Sequence, residues 1–196
     1  MSMNLPNKIT LFRILMIPVF AVLFFVEFEG HTLAAACVFA LACMTDFIDG
    51  YIARKNNLVT AFGKFLDPIA DKMIVACALI AICITPPYVA PQNVFAISVA
   101  VCTMIILMRE LMISGFRTVA ANKGVVLPAD MIGKIKTWVQ MSAIFALIPV
   151  PDFANWNHIA ALVFYYAGFG GLVAATLLTL ISGAHYLIKN REVLKD

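Results

Sequence analysis

The sequence predicts an all-α, polytopic membrane protein whose six transmembrane helices form a single domain over residues 1–196. Of its residues, 63% are hydrophobic and only 13% are charged, and the mean hydropathy is +0.95. A soluble domain averages about half apolar and about a quarter charged residues. The apolar residues fall into six stretches, each close to the roughly 20 residues that cross a bilayer as a helix. This composition excludes a disordered chain and an ordinary soluble enzyme, and we expect no nucleic-acid partner.

The six helices are predicted, in chain order, at 8–28, 32–53, 66–85, 92–117, 132–149 and 157–188. The apolar run of the first helix is bounded by Pro6 and Glu27. Turn-forming residues separate the later ones: Pro86-Pro87 follows the third, Lys123-Gly124 follows the fourth, and a Pro-Val-Pro segment follows the fifth. The connections are short, so no second soluble domain is expected.

The basic residues predict how the helices thread the membrane. The connections at 25–31, 86–93 and 150–157 contain no Lys or Arg, and all 14 basic residues lie elsewhere. By the positive-inside rule, we expect both termini and the remaining connections on the cytoplasmic side.

Cysteines and small residues inside the spans are predicted to pack. The five cysteines lie within predicted spans at no metal-binding spacing, which favours packing over disulfides. Three small residues of the sixth helix, Ala167, Gly171 and Ala175, favour either a dimer contact or packing within the chain.

Four carboxylates stand at helical spacing on two consecutive helices. Asp46 and Asp49 are three residues apart on the second helix and share a face. Asp67 and Asp71 are four apart and share a face of the third helix, which we expect to begin near Asp67 because Pro68 suits a first turn. A short connection makes the two helices antiparallel neighbours. The carboxylates are therefore predicted to gather at the cytoplasmic boundary.

Such a cluster favours divalent cations. Acidic groups at membrane depth are costly and usually functional. Oxygen ligands suit Mg²⁺, Mn²⁺ or Ca²⁺, and two such ions can hold a phosphate from both sides. Gly50 and Ala53 lie on the same helix face and would leave room for a ligand, although small residues there also suit helix packing. The alternative for the carboxylates is salt bridges to Arg54, Lys64 and Lys72.

The pattern D-x2-D-G-x2-A-R-x8-G-x3-D-x3-D, from Asp46 to Asp71, resembles the signature of the CDP-alcohol phosphotransferases. These are six-helix membrane enzymes, commonly homodimeric, that join an alcohol to a CDP-activated phosphatidyl group and release CMP. The resemblance implies two bound divalent cations, Mg²⁺ or Mn²⁺, with Asp71 also acting as general base. The implied metal ligands are Asp46, Asp49, Asp67 and Asp71. The implied CDP-lipid contacts are Gly50, Ala53, Arg54, Gly63 and Lys64.

Cationic residues near the cytoplasmic ends of the fourth and fifth helices bear on the acceptor alcohol. Arg109, Arg117, Lys134 and Lys136 could bind the phosphate of a phosphorylated acceptor, since guanidinium and ammonium groups are good phosphate ligands. The alternative is attraction to anionic lipid headgroups. For Arg109, an internal ion pair with Glu110 is a further alternative.

Residues 4 to about 140 resemble the branch of this family whose acceptor is sn-glycerol 3-phosphate and whose lipid substrate is CDP-diacylglycerol. On the first helix, the polar residues Asn7, Thr10 and Arg13 could close the acceptor pocket or merely anchor the helix at the interface. The candidate acceptor contacts are Arg117, Lys134, Lys136, Thr10, Arg13 and Arg109. We expect a bacterial plasma membrane, with the site facing the cytoplasm. The alternatives are an inositol-phosphate or cardiolipin-forming member of the family, or a small ion transporter.

Overall fold

The computed structural model describes the backbone of residues 5–56, 61–86, 89, 91–123, 125 and 131–191. It describes the side chains of the same residues except 5–8, 46–56, 61–68, 71 and 122. All regular secondary structure in this part of the chain is helical, which confirms the predicted all-α class. The helices are α1 (Leu5–Phe25), α2 (His31–Asn56), α3 (Ala61–Ile84), α4 (Gln92–Asn122), α5 (Met131–Leu147), α6 (Val150–Trp156) and α7 (His158–Lys189).

The described helices are apolar enough for a membrane protein. Three helical stretches are long and apolar enough to cross a bilayer: Gln92–Ala121, Met131–Trp156 and His158–Lys189. Shorter apolar helical segments at Ile9–Phe25, His31–Thr45 and Lys72–Ile84 belong to α1, α2 and α3. The protein is a polytopic membrane protein, and the count of six spans stays a prediction.

Two sequence predictions about helix ends are wrong. The expected connection at 150–157 is largely the short helix α6, because a proline in the first turn of a helix needs no N–H partner. Pro149 occupies the N-cap position of α6 and Pro151 lies in its first turn. These prolines therefore mark the start of α6 as well as the end of α5. The third helix begins at Ala61, well before the expected start near Asp67, which places Pro68 inside α3.

The connections predicted to lack basic residues meet at one end of the bundle. We call this the acidic end (the described residues 25–31, 85, 86, 89, 91 and 148–157) and the opposite end the basic end. The buried carboxylate of Asp152 on α6 accepts a hydrogen bond from the backbone N–H of Leu33 at 2.8 Å, in the first turn of α2. Since the first backbone N–H groups of a helix have no partner within it, this contact caps α2 from a residue 119 positions away.

Helices α5 and α7 approach each other through small residues. A methyl group at Gly171 would lie 3.0 Å from Cβ of Ala143, and Ala175 is fully buried. These two small residues of the last helix therefore pack within the chain, whereas Ala167 is exposed.

We expect Gly168→Ala to destabilise the fold by about 1–3 kcal/mol, because overpacking forces neighbouring groups apart. A Cβ at this position would lie 2.7 Å from Cγ of Leu147 and 3.1 Å from the carbonyl oxygen of Ala143. The measurement is thermal unfolding of the purified protein in detergent. Gly170→Ala on the same helix is the matched control, since a Cβ there meets nothing within 4 Å. Equal unfolding temperatures for the two variants would contradict the close α5–α7 contact.

Candidate active site

The acidic pattern lies on α2 and α3, which pack against each other, while α1 packs against both. Both helices continue through the positions of the pattern, so the backbone that carries the carboxylates is helical as expected. The convergence of the side chains stays a prediction, because they lie outside the described part of the chain. The residues concerned are Asp46, Asp49, Gly50, Ala53, Arg54, Gly63, Lys64, Asp67 and Asp71.

Two of the polar residues predicted on α1 are enclosed by the bundle, and the side chain of the third, Asn7, lies outside the described part of the chain. Thr10 and Arg13 are only 3% and 1% exposed. A charged side chain that anchors a helix at the interface extends its charged group toward water. The burial of Arg13 therefore favours a place in the interior over simple anchoring.

A buried ion pair connects α4 to α5. Lys136 Nζ donates a hydrogen bond to Oε1 of Glu110, and the Lys136 side chain is only 2% exposed. The same carboxylate oxygen lies 3.6 Å from Nη1 of Arg109. The Arg109–Glu110 ion pair considered above is therefore present, but Lys136 is the closer partner of Glu110. Part of the positive charge assigned to the acceptor is offset by this carboxylate.

A cavity of about 40 Å³ lies between this ion pair and α3. Lys72, the residue that follows Asp71 on α3, lines the cavity together with Glu110, Lys136 and Gln140. Within the described part of the chain, Oε1 of Gln140 is buried without a hydrogen-bond partner. A cavity of this size admits a water molecule, which would satisfy that oxygen. The Lys136–Glu110 ion pair therefore lies next to α3, the helix that carries Asp67 and Asp71.

The guanidinium of Arg109 lies between α5 and α7. Its Nη2 donates a hydrogen bond to Oγ of Ser182 at 3.0 Å. A Cβ at Gly183 would lie 3.1 Å from Cγ of Arg109, and a Cβ at Gly133 would lie 3.9 Å from its Nη2. The absence of a side chain at Gly183 therefore gives the arginine its space, whereas a Cβ at Gly133 would make only an ordinary van der Waals contact.

Arg117 is exposed but contacts a buried tyrosine of α7. Its Nε donates a hydrogen bond to Oη of Tyr186 at 3.1 Å, and its Cζ lies 5.4 Å from the centroid of the tyrosine ring. Tyr186 is 3% exposed and packs edge-on against Phe116. The tyrosine therefore contributes a hydrogen bond and a cation–π contact to the orientation of this guanidinium.

The two candidate lysines of α5 do not share a surface. Lys134 is exposed, whereas Lys136 is buried. Two residues along an α-helix turn the side chain by about 200°, so the two ammonium groups leave α5 in different directions. Arg117, Lys134 and Lys136 therefore do not present their charged groups on one common surface.

Two sets of contacts are not predicted by the sequence: the pairing of Glu110 with Lys136, and the contacts of the two arginines with Ser182, Gly183 and Tyr186 on α7. The last helix carries no acidic pattern that would indicate a site. The one feature of its sequence that suggests a close contact is the pair Ser182-Gly183 near the end of an apolar run. That signal does not indicate which helix the pair contacts.

The profile of the CDP-alcohol phosphatidyltransferase family matches residues 3–184. The chain belongs to this family. The match includes the acidic pattern, both arginines, Ser182 and Gly183. Membership decides between the two classes left open by the sequence, because it makes the chain an enzyme and not an ion transporter. Members of the family generally depend on divalent metal ions.

Relatives from several bacteria carry the name CDP-diacylglycerol–glycerol-3-phosphate 3-phosphatidyltransferase. The relative from Bacillus subtilis is 38% identical over 215 aligned positions, which cover 98% of this chain and 97% of the relative. That from Rickettsia typhi is 43% identical over 145 positions, covering 74% of this chain and 76% of the relative. That from Salmonella typhimurium is 36% identical over 198 positions and covers both chains completely.

Proposed function

We propose that this enzyme transfers the phosphatidyl group of CDP-diacylglycerol to sn-glycerol 3-phosphate, giving phosphatidylglycerophosphate and CMP. The observation that carries the proposal is full-length similarity to relatives named for this reaction. The positions of Arg109 and Arg117 support it, because two guanidinium groups at the basic end suit an anionic acceptor. A neutral alcohol would not require them.

The donor set of the acidic pattern fits divalent cations. Asp46, Asp49, Asp67 and Asp71 offer only oxygen ligands, and the two helices that carry them pack together. We propose these residues as the ligands of two Mg²⁺ or Mn²⁺ ions. When bound, such ions neutralise charge on the diphosphate and stabilise the leaving group.

The chain's own residues then bring two anionic reactants together. Gly50, Ala53, Arg54, Gly63 and Lys64 are the proposed contacts of the nucleotide and diphosphate. Thr10, Arg13, Arg109, Arg117, Lys134 and Lys136 are the candidate acceptor contacts, although Lys136 pairs with Glu110 and Lys134 is exposed. Much of the rate enhancement should come from this positioning and from charge neutralisation.

Asp71 is the proposed general base. It accepts the proton of the 1-hydroxyl of glycerol 3-phosphate while that oxygen forms a bond to the β-phosphorus of CDP-diacylglycerol. The bond between this phosphorus and the oxygen that bridges to CMP breaks, and CMP leaves with the electron pair. A carboxylate suits this role because it is ionised at neutral pH.

We further propose that the enzyme is a homodimer in a bacterial plasma membrane, with the site on the cytoplasmic side. The absence of Lys and Arg from the three connections of the acidic end supports this orientation. Reporter fusions at both termini test it, and a terminus on the outer side would overturn it.

The acceptor is tested by CMP release from CDP-diacylglycerol with purified enzyme in mixed micelles. We expect release with sn-glycerol 3-phosphate and only background release with serine, myo-inositol phosphate or phosphatidylglycerol. A chelator should abolish release, and added Mg²⁺ or Mn²⁺ should restore it. Preference for another alcohol would overturn the acceptor, and full activity in the chelator would overturn the metal centre.

A further inference from the structure

The basic-end half of α7 contacts both arginines through one group of neighbouring residues. We infer that Ser182, Gly183 and Tyr186 form a platform that positions Arg109 and Arg117 for the phosphate of the acceptor. The inference rests on the proposed function, since it concerns the acceptor side of that same site. None of the three platform residues needs to touch substrate, so they are positioning residues.

The platform is a continuous feature of the α4–α7 contact. Residues at i, i+1 and i+4 lie on one side of a helix, and Ser182, Gly183 and Tyr186 have this spacing. All three are buried, and α4 packs against α7. The platform therefore packs against α4 at the two helical turns that carry Arg109 and Arg117.

For Arg109 the platform restricts a flexible side chain. Ser182 accepts a hydrogen bond from Nη2, while Gly183 provides the space in which the aliphatic part of the arginine lies. Arginine loses much rotamer freedom when it is held in one geometry. A site that holds the side chain before the acceptor arrives does not incur that cost on binding.

For Arg117 the platform fixes the plane of the guanidinium. The hydrogen bond from Nε to Tyr186 uses one of its five N–H groups and leaves the four on the terminal nitrogens unused by the tyrosine. Those terminal groups form the pair that binds phosphate in a bidentate manner. Because the Tyr186 ring is packed against Phe116, the hydroxyl acts from a fixed position.

Tyr186→Phe is the first test, because it removes only the hydroxyl and keeps the packed ring. We expect the KM for sn-glycerol 3-phosphate to rise about fivefold to tenfold, the size of one typical intramolecular hydrogen bond. The kcat and the KM for CDP-diacylglycerol should change by less than about twofold. An unchanged acceptor KM, or an equal rise in both KM values, would overturn the platform.

Gly183→Ala is the second test, since its added methyl displaces the side chain of Arg109. We expect a rise of about tenfold in the acceptor KM. Gly170→Ala, on the same helix but with open space around its Cβ, should behave like the wild type. If Gly183→Ala fails to fold, Ser182→Ala replaces it, with an expected rise of about threefold to fivefold.

A double variant separates positioning from general structural damage. In an Arg117→Ala background, the hydroxyl of Tyr186 has no guanidinium to orient, so adding Tyr186→Phe should leave the acceptor KM unchanged. An effect as large as that in the wild-type background would overturn the inference. Failure of the proposed function is seen separately, as CMP release by the unaltered enzyme that does not depend on sn-glycerol 3-phosphate.

Discussion

Asp71→Asn is expected to lower the turnover of CDP-diacylglycerol by about 10²–10⁴-fold, the contribution typical of a general base. The amide has nearly the shape of the carboxylate but cannot accept the hydroxyl proton. Binding of CDP-diacylglycerol should largely survive, because the proposed nucleotide and diphosphate contacts and three of the four proposed metal ligands are unchanged. The measurements are kcat at saturating acceptor and equilibrium binding of labelled CDP-diacylglycerol in micelles.

Asp152→Asn is the matched control for this experiment. Asp152 lies at the acidic end, where its Oδ2 caps α2, and an asparagine oxygen can accept the same hydrogen bond. Its turnover should remain close to that of the wild type. Retained turnover in Asp71→Asn would remove Asp71 from the role of base.

Glu110→Leu is expected to destabilise the folded protein by about 3 kcal/mol, since it removes one carboxylate partner from the ammonium of a buried lysine. Lys136 is only 2% exposed, so bulk water has little access to its ammonium. Thermal unfolding in detergent measures the change. The second substitution Lys136→Met should recover most of the lost stability, because removing both members of a buried pair is often close to neutral.

Lys134→Met is the control for this second experiment. Lys134 lies two residues from Lys136 but is exposed, and its loss should change stability by less than about 0.5 kcal/mol. If Glu110→Leu unfolds at the wild-type temperature, the pair does not stabilise the bundle.

The fold class followed from composition because a bilayer leaves few choices to an apolar chain. Every backbone polar group in hydrocarbon must be paired within the protein, which selects helices. Helix ends were less predictable. Prolines at 149 and 151 were interpreted as a turn, but proline is equally suited to the first turn of a helix, and α6 begins there.

The site was predictable where its residues are close in sequence and unpredictable where they are distant. The aspartate pattern could be identified because its spacing is a property of one or two adjacent helices. The partner of Lys136 could not, because Glu110 is 26 residues away on another helix. The same holds for Ser182 and Tyr186, which are 73 and 69 residues from their arginines. Helical periodicity gives the faces of a helix but not the neighbour on each face.

The length of α7 determines how far the platform lies from the acidic end of the bundle. Ser182 lies 25 residues after Asn157, the capping residue of α7 at the acidic end, or about 38 Å along an unbroken helix. The hydrocarbon core is only about 30 Å thick. An untilted α7 with Asn157 at one edge of the hydrocarbon would place the platform level with the lipid phosphates of the opposite leaflet, where the proposed water-soluble acceptor can arrive from the aqueous phase while its acylated co-substrate diffuses in the leaflet.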